Sequence, residues 1–178
     1  DRDVTLAGLK QADQNIDVVY EVPYLSHLTM EPPVCTARVT EESCEVWVPH
    51  QQPDKARGAA AEAAGLPPEQ VNLQLTRAGG GFGRKWELDF VRQSVQAAAA
   101  VPGRAVKLCW TREQDVGHDY YRPGFKVRTR IGLDQNGIAA MYSRIAGQSV
   151  WRFQKKPMMP GMADPTVAAL LIYDIYDF

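Results

Sequence analysis

The residues best placed to do chemistry form the stretch "AGGGFGRKWE", which begins at Ala78. Four glycines fall within five residues around Phe82, just before a segment that reads as helical. A backbone without side chains at a helix start exposes N–H groups and lets a polar or anionic ligand touch it. Spacing tests the two common phosphate loops. Counted from Gly79, a P-loop needs glycine at the sixth position and Ser or Thr after the lysine, where Arg84 and Trp86 stand. A dinucleotide fingerprint wants a small residue at that sixth position, and Arg84 breaks it too. Two readings stay open: a ligand of another kind, or a tight strand-to-helix corner. Three consecutive glycines exceed what a corner requires.

Other chemistry is sparse. His27, His50 and His118 are far apart and show none of the short spacings of a zinc site, so no protein-held metal is expected. Cys35, Cys44 and Cys109 form neither a CxxC pair nor a disulfide framework and are expected to be buried free thiols. No Gly-x-Ser-x-Gly elbow is present. Lys126, Arg128 and Arg130 share one strand face, but 20 basic against 21 acidic residues leave a net charge of -1. A solvated sheet surface is therefore expected rather than a nucleic-acid interface. No apolar run approaches the roughly 20 residues of a membrane helix, and no leader pattern opens the sequence. The start at Asp1, in a polar run, suits a piece cut from a longer protein.

The elements that must position the glycines follow from periodicity. Segments 16–22, 34–39 and 43–49 are rich in Val, Tyr and Trp and read as strands, with "TEES" as a hairpin turn. Pro53 opens an alanine-rich helix that Gly65 closes. "VNLQLTR" (71–77) alternates, placing Val71, Leu73 and Leu75 on one half-buried face. Beyond the glycines, Glu87 and Asp89 suit the first turn of a helix that runs to Pro102. Segment 105–111 reads as a strand, and 125–133 with 138–146 as a hairpin around "DQNG". The expected class is α+β, a mixed sheet with two helices and a C-terminal hairpin, taken as a single domain over 1–178. Residues 1–18 and 151–178 are only weakly assigned.

With the elements in place, "VPHQQP", "RAGGGFGRK", "HLTMEPPVCTA" and "VKLCWTREQDVGHDYYRP" together resemble the molybdenum-binding large subunit of the xanthine dehydrogenase and aldehyde oxidoreductase family. Gln51 stands 28 positions before Gly79, the separation that resemblance leads one to expect. Arg84, in place of a glycine, is similar to the isoquinoline 1-oxidoreductase beta subunit branch and its bacterial aldehyde-oxidising relatives. The resemblance covers roughly 20–150 and implies part of a molybdopterin-binding domain.

It further implies that the Gln51 carboxamide and the backbone of Phe82 and Gly83 face a molybdenum-pterin cofactor, in a pterin cytosine dinucleotide form. Gly79, Gly80 and Gly81 would give that cofactor clearance, and Phe82 would wall a substrate pocket or join the core. The pterin would hold the metal. The reaction implied is oxidation of N-heterocycles or aldehydes with water as oxygen source, electrons leaving to iron-sulfur clusters on a small partner subunit. The family's catalytic glutamate, further pterin loops and an arginine-containing loop would lie beyond Phe178, in the remainder of the large subunit. The fragment alone is expected to be inactive, in a compartment the sequence does not mark, cytoplasm or periplasm. Trp86 stands where xanthine-oxidising members carry a substrate-binding glutamate, with Glu87 one step later, so purine recognition is not expected. On a helix that step turns a side chain by about 100 degrees, which denies Glu87 the role. The competing reading is a non-catalytic binding module that uses the glycine corner for another anion or a partner.

Overall fold

A computed structural model describes residues 2–148 together with 164, 166 and 167. In chain order the elements are α1 (Arg2–Gln11), β1 (Gln14–Val22), β2 (Val34–Val39), β3 (Cys44–Val48), α2 (Pro53–Ala64), β4 (Val71–Leu75), α3 (Asp89–Ala99), β5 (Ala105–Cys109), α4 (Arg112–Gly117), β6 (Phe125–Asp134) and β7 (Gly137–Gly147). Short 3-10 turns cover Pro68–Gln70 and Arg84–Trp86. The α+β class is as expected. The described residues hold four α-helices where two were expected. The chain divides into two compact units, one Ser26–Tyr121 and the other built from the chain on either side.

The Ser26–Tyr121 unit carries the glycines. Its sheet runs β4-β3-β2-β5, with β3 and β4 parallel and the other neighbours antiparallel. A parallel pair needs a long crossover, and α2 supplies it. Pro53 starts α2, and Gly65 ends it in the left-handed region at φ 69. Period-2 alternation in β2 and β3 sends Cys35, Ala37, Val46 and Val48 inward. They meet Phe90, Val91 and Val95 of α3 and Ala56, Ala60 and Ala61 of α2. Each large apolar side chain buried there contributes about 1.5–3 kcal/mol relative to exposure. Inside this core, Ser94 Oγ donates to the Cys35 carbonyl at 3.0 Å, so the one hydroxyl on the buried face of α3 is satisfied.

In the other unit, β1-β6-β7 form an antiparallel sheet. The hairpin expected around "DQNG" is present, its turn held by the Asn136 N–H donating to Asp134 Oδ1 at 2.7 Å. Helix α1 packs on β6 and β7 through the buried Leu9. Gly132 leaves room for it: a Cβ there would stand 2.8 Å from the Ala12 Cβ.

Several expectations need correction. The polar run at the start, weakly assigned from sequence, forms α1, and α4 lies in the polar stretch that follows β5. Strand β4 stops at Leu75, which is exposed rather than half-buried, because the parallel ladder with β3 ends there. Glu87 lies outside α3 in extended conformation, leaving Asp89 as the acidic residue of that first turn. Cys35 and Cys44 are buried as expected, whereas Cys109, at the end of edge strand β5, is exposed. Apart from 164, 166 and 167, the segment 151–178 lies outside the described residues.

Candidate cofactor site

After β4 the chain turns through Gly79–Gly83 into the 3-10 turn at Arg84–Trp86. Gly80 and Gly83 have φ of 97 and 108, and Phe82 is held at φ 51, uncommon for a residue with a Cβ. The space the glycines leave is taken by the chain itself. A Cβ on Gly81 would stand 2.5 Å from Gln51 Oε1, and one on Gly79 would stand 2.6 Å from the Glu31 Cβ. Gly80 lies under the Phe82 ring, and Gly83 faces the His27 imidazole. The clearance expected for a cofactor is thus first a clearance for Gln51, Glu31, Phe82 and His27. Phe82 is exposed, outside the hydrophobic core formed by the described residues.

Gln51 is fixed from several sides. Its backbone N–H donates to the Lys85 carbonyl at 2.9 Å, and its Oε1 accepts from the Gly83 N–H at 3.1 Å. The neighbouring His50 is buried; it accepts from the Gln52 N–H at 3.0 Å and so donates through Nε2 to the Glu87 carbonyl, also at 3.0 Å. Burial holds the His50 imidazole below its usual range, so it stays neutral and keeps this tautomer. With Oε1 engaged, the Gln51 amino group is left without a hydrogen-bond partner among the described residues, as are the N–H groups of Gly80, Gly81 and Phe82. The arrangement presents neutral donors from one short loop and one carboxamide, which suits oxygen atoms of a polar or anionic ligand.

Beneath this loop are two cations that sequence reasoning missed as structural residues. Arg84 and Lys85 are both fully buried. Arg84 forms a two-pronged pair with Asp89, at 3.1 and 2.9 Å, and its Nε lies 3.6 Å from Asp115 and 3.7 Å from Asp119. Trp110 and Tyr120 place ring centroids 5.0 and 5.6 Å from its guanidinium carbon. Lys85 pairs with Glu31, whose carboxylate also accepts from the Gly79 N–H at 3.0 Å. The Glu31 N–H in turn donates to the Gly79 carbonyl at 3.1 Å. Arg112 joins the cluster by donating to Asp115 and to the Thr29 and Met30 carbonyls.

The electrostatics follow the partners. Burial alone would raise the Asp119 pKa, but hydrogen bonds from Ser26 and from the His27 backbone and ring outweigh it and hold the carboxyl below its ordinary value. Burial pushes Glu31 up as well, and the Lys85 ammonium with the Gly79 N–H reverses the direction. Glu87 goes the other way, raised by burial and by the nearby Asp89 charge. The Cys35 and Cys44 thiols are pushed by burial to about 11, which disqualifies both as nucleophiles near neutral pH. Among the described residues no group of three or more His, Cys, Asp or Glu side chains could hold a metal ion.

Trp86 and Glu87 do not sit on an α-helix, so the 100-degree argument does not apply to them. Trp86 ends the 3-10 turn half exposed, and Glu87 is half-buried with an extended backbone. Of the residues expected at the site, Gln51, Gly81 and Gly83 meet directly, while Gly79 is tied to Glu31 and Gly80 underlies Phe82.

The chain belongs to the molybdopterin cofactor-binding domain family, whose sequence model matches residues 2–175. It is similar to the isoquinoline 1-oxidoreductase subunit beta of Brevundimonas diminuta, 29% identical over 145 residues, covering 79% of this chain and 18% of the relative. It is 32% identical over 122 residues to the aldehyde oxidoreductase molybdenum-binding subunit PaoC of Escherichia coli K12, covering 68% of this chain and 17% of that one. The aldehyde oxidoreductase of Desulfovibrio gigas has the same fold, with a TM-score of 0.65 at 24% identity over 79% of this chain and 16% of that structure. The chain therefore spans less than a fifth of the length of these proteins.

Proposed function

We propose that this chain forms one wall of the cofactor site in a larger molybdenum hydroxylase that oxidises N-heterocycles or aldehydes with oxygen from water. The observation that carries the reading is that the N–H groups of Gly80, Gly81 and Phe82 and the Gln51 amino group have no hydrogen-bond partner among the described residues. They fit a group rich in oxygen that brings its own metal ligands, since they are hydrogen-bond donors and not thiolates or imidazoles. When bound, such a cofactor supplies two-electron oxidation chemistry and a path for electrons. In this reading Gln51 holds an oxygen of the cofactor through its amino group, and the Phe82 and Gly83 backbone lies against the same group. The Phe82 ring and Trp86, both exposed, flank it and exclude water on the substrate side. The catalytic base, the remaining pterin contacts and the iron-sulfur clusters, on a small partner subunit, come from outside this chain. The cofactor is the pterin cytosine dinucleotide form, and the isolated chain is inactive.

The test is to produce the full-length subunit with its small partner in a host that makes the cofactor, and to measure molybdenum content and dye-linked turnover. Gln51→Ala is expected to lower turnover roughly 10- to 100-fold with little loss of folding. Gly81→Val, which drives a side chain into the Gln51 carboxamide, is expected to abolish molybdenum retention. Wild-type protein without molybdenum would leave the binding-module reading in its place. Variants that both behave as wild type would move the site elsewhere.

A further inference from the structure

We propose that His27 is a positioning residue of this site: it holds Gly83 and, through the Gly83 N–H, the Gln51 carboxamide. The consequence for the cofactor rests on the functional reading above; the contact itself does not. Asp119 accepts from Ser26 Oγ at 2.7 Å, from the His27 N–H at 2.6 Å and from His27 Nδ1 at 2.8 Å. A carboxylate so occupied fixes the imidazole at one ring nitrogen, in a side chain only 10% exposed. The opposite ring nitrogen, Nε2, then points at Gly83, 3.1 Å from where its Cβ would be. Gly83 has φ 108, which glycine adopts freely; its carbonyl accepts from the Trp86 N–H at 3.1 Å, and the imidazole fills the place a Cβ would take. Its N–H is the donor that engages Gln51 Oε1.

The contacts close into a circuit. Gly83 is followed in the chain by Arg84, whose buried guanidinium reaches back to within 3.7 Å of Asp119, and Asp119 holds His27 against Gly83. The imidazole thus does two separable jobs: it satisfies Asp119 with one edge and braces Gly83 with the other. If only the first mattered, His27 would be a partner for a buried carboxylate and nothing more.

Two substitutions separate the jobs. His27→Asn keeps a donor at the position of Nδ1 but is too short to reach Gly83, whereas His27→Gln reaches as far as Nε2 and gives up the Nδ1 geometry. The full-length subunit with its partner is made in a host that synthesises the cofactor and in one that does not. Amide hydrogen exchange of the peptide spanning 79–85, the unfolding midpoint and, in the first host, molybdenum content are measured. In both preparations His27→Asn is expected to raise exchange in 79–85 about tenfold, with His27→Gln near wild type. Molybdenum content is expected to fall in the Asn variant only. Wild-type exchange in the Asn variant overturns the proposal. Should the Asn variant not fold, the Gln variant decides alone: exchange near wild type supports the brace, and raised exchange overturns it. Failure of the functional reading shows separately, as wild-type protein without molybdenum whose cofactor-free exchange pattern still follows the two variants.

Discussion

At the scale of single residues, Arg84 decides what the glycine loop can present. A cation in a glycine-rich loop would ordinarily be read as a charge offered to a ligand, yet this one faces inward, hydrogen-bonded to Asp89 and close to Asp115 and Asp119, with its Nε left without a hydrogen bond among the described residues. Its burial is tolerable only because several carboxylates meet it, and removing any partner would leave charge stranded in a poorly solvated place. The N–H groups of Gly80, Gly81 and Phe82, neutral donors, have no partner among the described residues. Two carboxylates that pair with or approach the buried cations, Asp119 beside Arg84 and Glu31 beside Lys85, set an acid limit. Asp119 and Glu31 both have folded-state pKa values below their ordinary ones. Each therefore contributes stability that is complete above the unfolded value of about 4 and is lost as pH falls through the folded value. The unfolding midpoint is expected to drop steeply below about pH 4. Asp119→Asn should lower it at neutral pH and flatten the acid slope, as followed by thermal unfolding across pH. An unchanged slope would mean Asp119 is not held ionised by its partners.

At the scale of elements, legibility in the sequence tracked how local each cause is. The hairpin of β6 and β7 and the helix α2 carry their signals within themselves: alternation around "DQNG", and Pro53 and Gly65 as start and stop. Helix α1 was hidden because it buries essentially one large residue, Leu9, against the sheet. The loop's braces were hidden for another reason: Glu31, His27 and Asp119 are brought to it only by the tertiary fold. Whether Arg84 and Lys85 point in or out is decided by those distant partners. Helix α4 did have a readable signal. Thr111 with Gln114 forms a capping box, in which Thr111 Oγ1 accepts from the Gln114 N–H at 3.2 Å and Gln114 Oε1 accepts from the Thr111 N–H at 2.9 Å. A helix of six residues cannot persist by propensity, so the cap and the tie of Arg112 to Asp115 must hold it. Thr111→Ala is expected to cost about 1 kcal/mol in denaturant unfolding, and Thr111→Ser to recover most of it. Equal losses in both would show that the threonine methyl, not the cap, matters.

At the scale of the whole molecule, charge placement bears on whether a polyanion is drawn to the basic row of β6. The basic row on β6 looked, in sequence, like the one surface that could attract a polyanion. In the sheet it lies beside β1, in register with that strand's acids: Asp17 opposes Arg130, and Glu21 opposes Lys126. Arg128 makes a two-pronged pair with Asp17 at 2.9 and 2.7 Å, Arg130 stands 3.8 Å from the same carboxylate, and Lys126 is 2.9 Å from Glu21. All three cations of the row therefore have a carboxylate neighbour, on a chain whose net charge is -1. Exposed pairs of this kind add little to stability, but they cancel the local field that phosphates would feel. The chain is expected to pass through a polyanion column at about 0.1 M salt without retention. Replacing Asp17 by Asn and Glu21 by Gln frees the row and should produce retention that declines as salt is raised. Strong, salt-sensitive retention of the wild type would mean that the pairing does not neutralise this face, and that a polyanion can reach it.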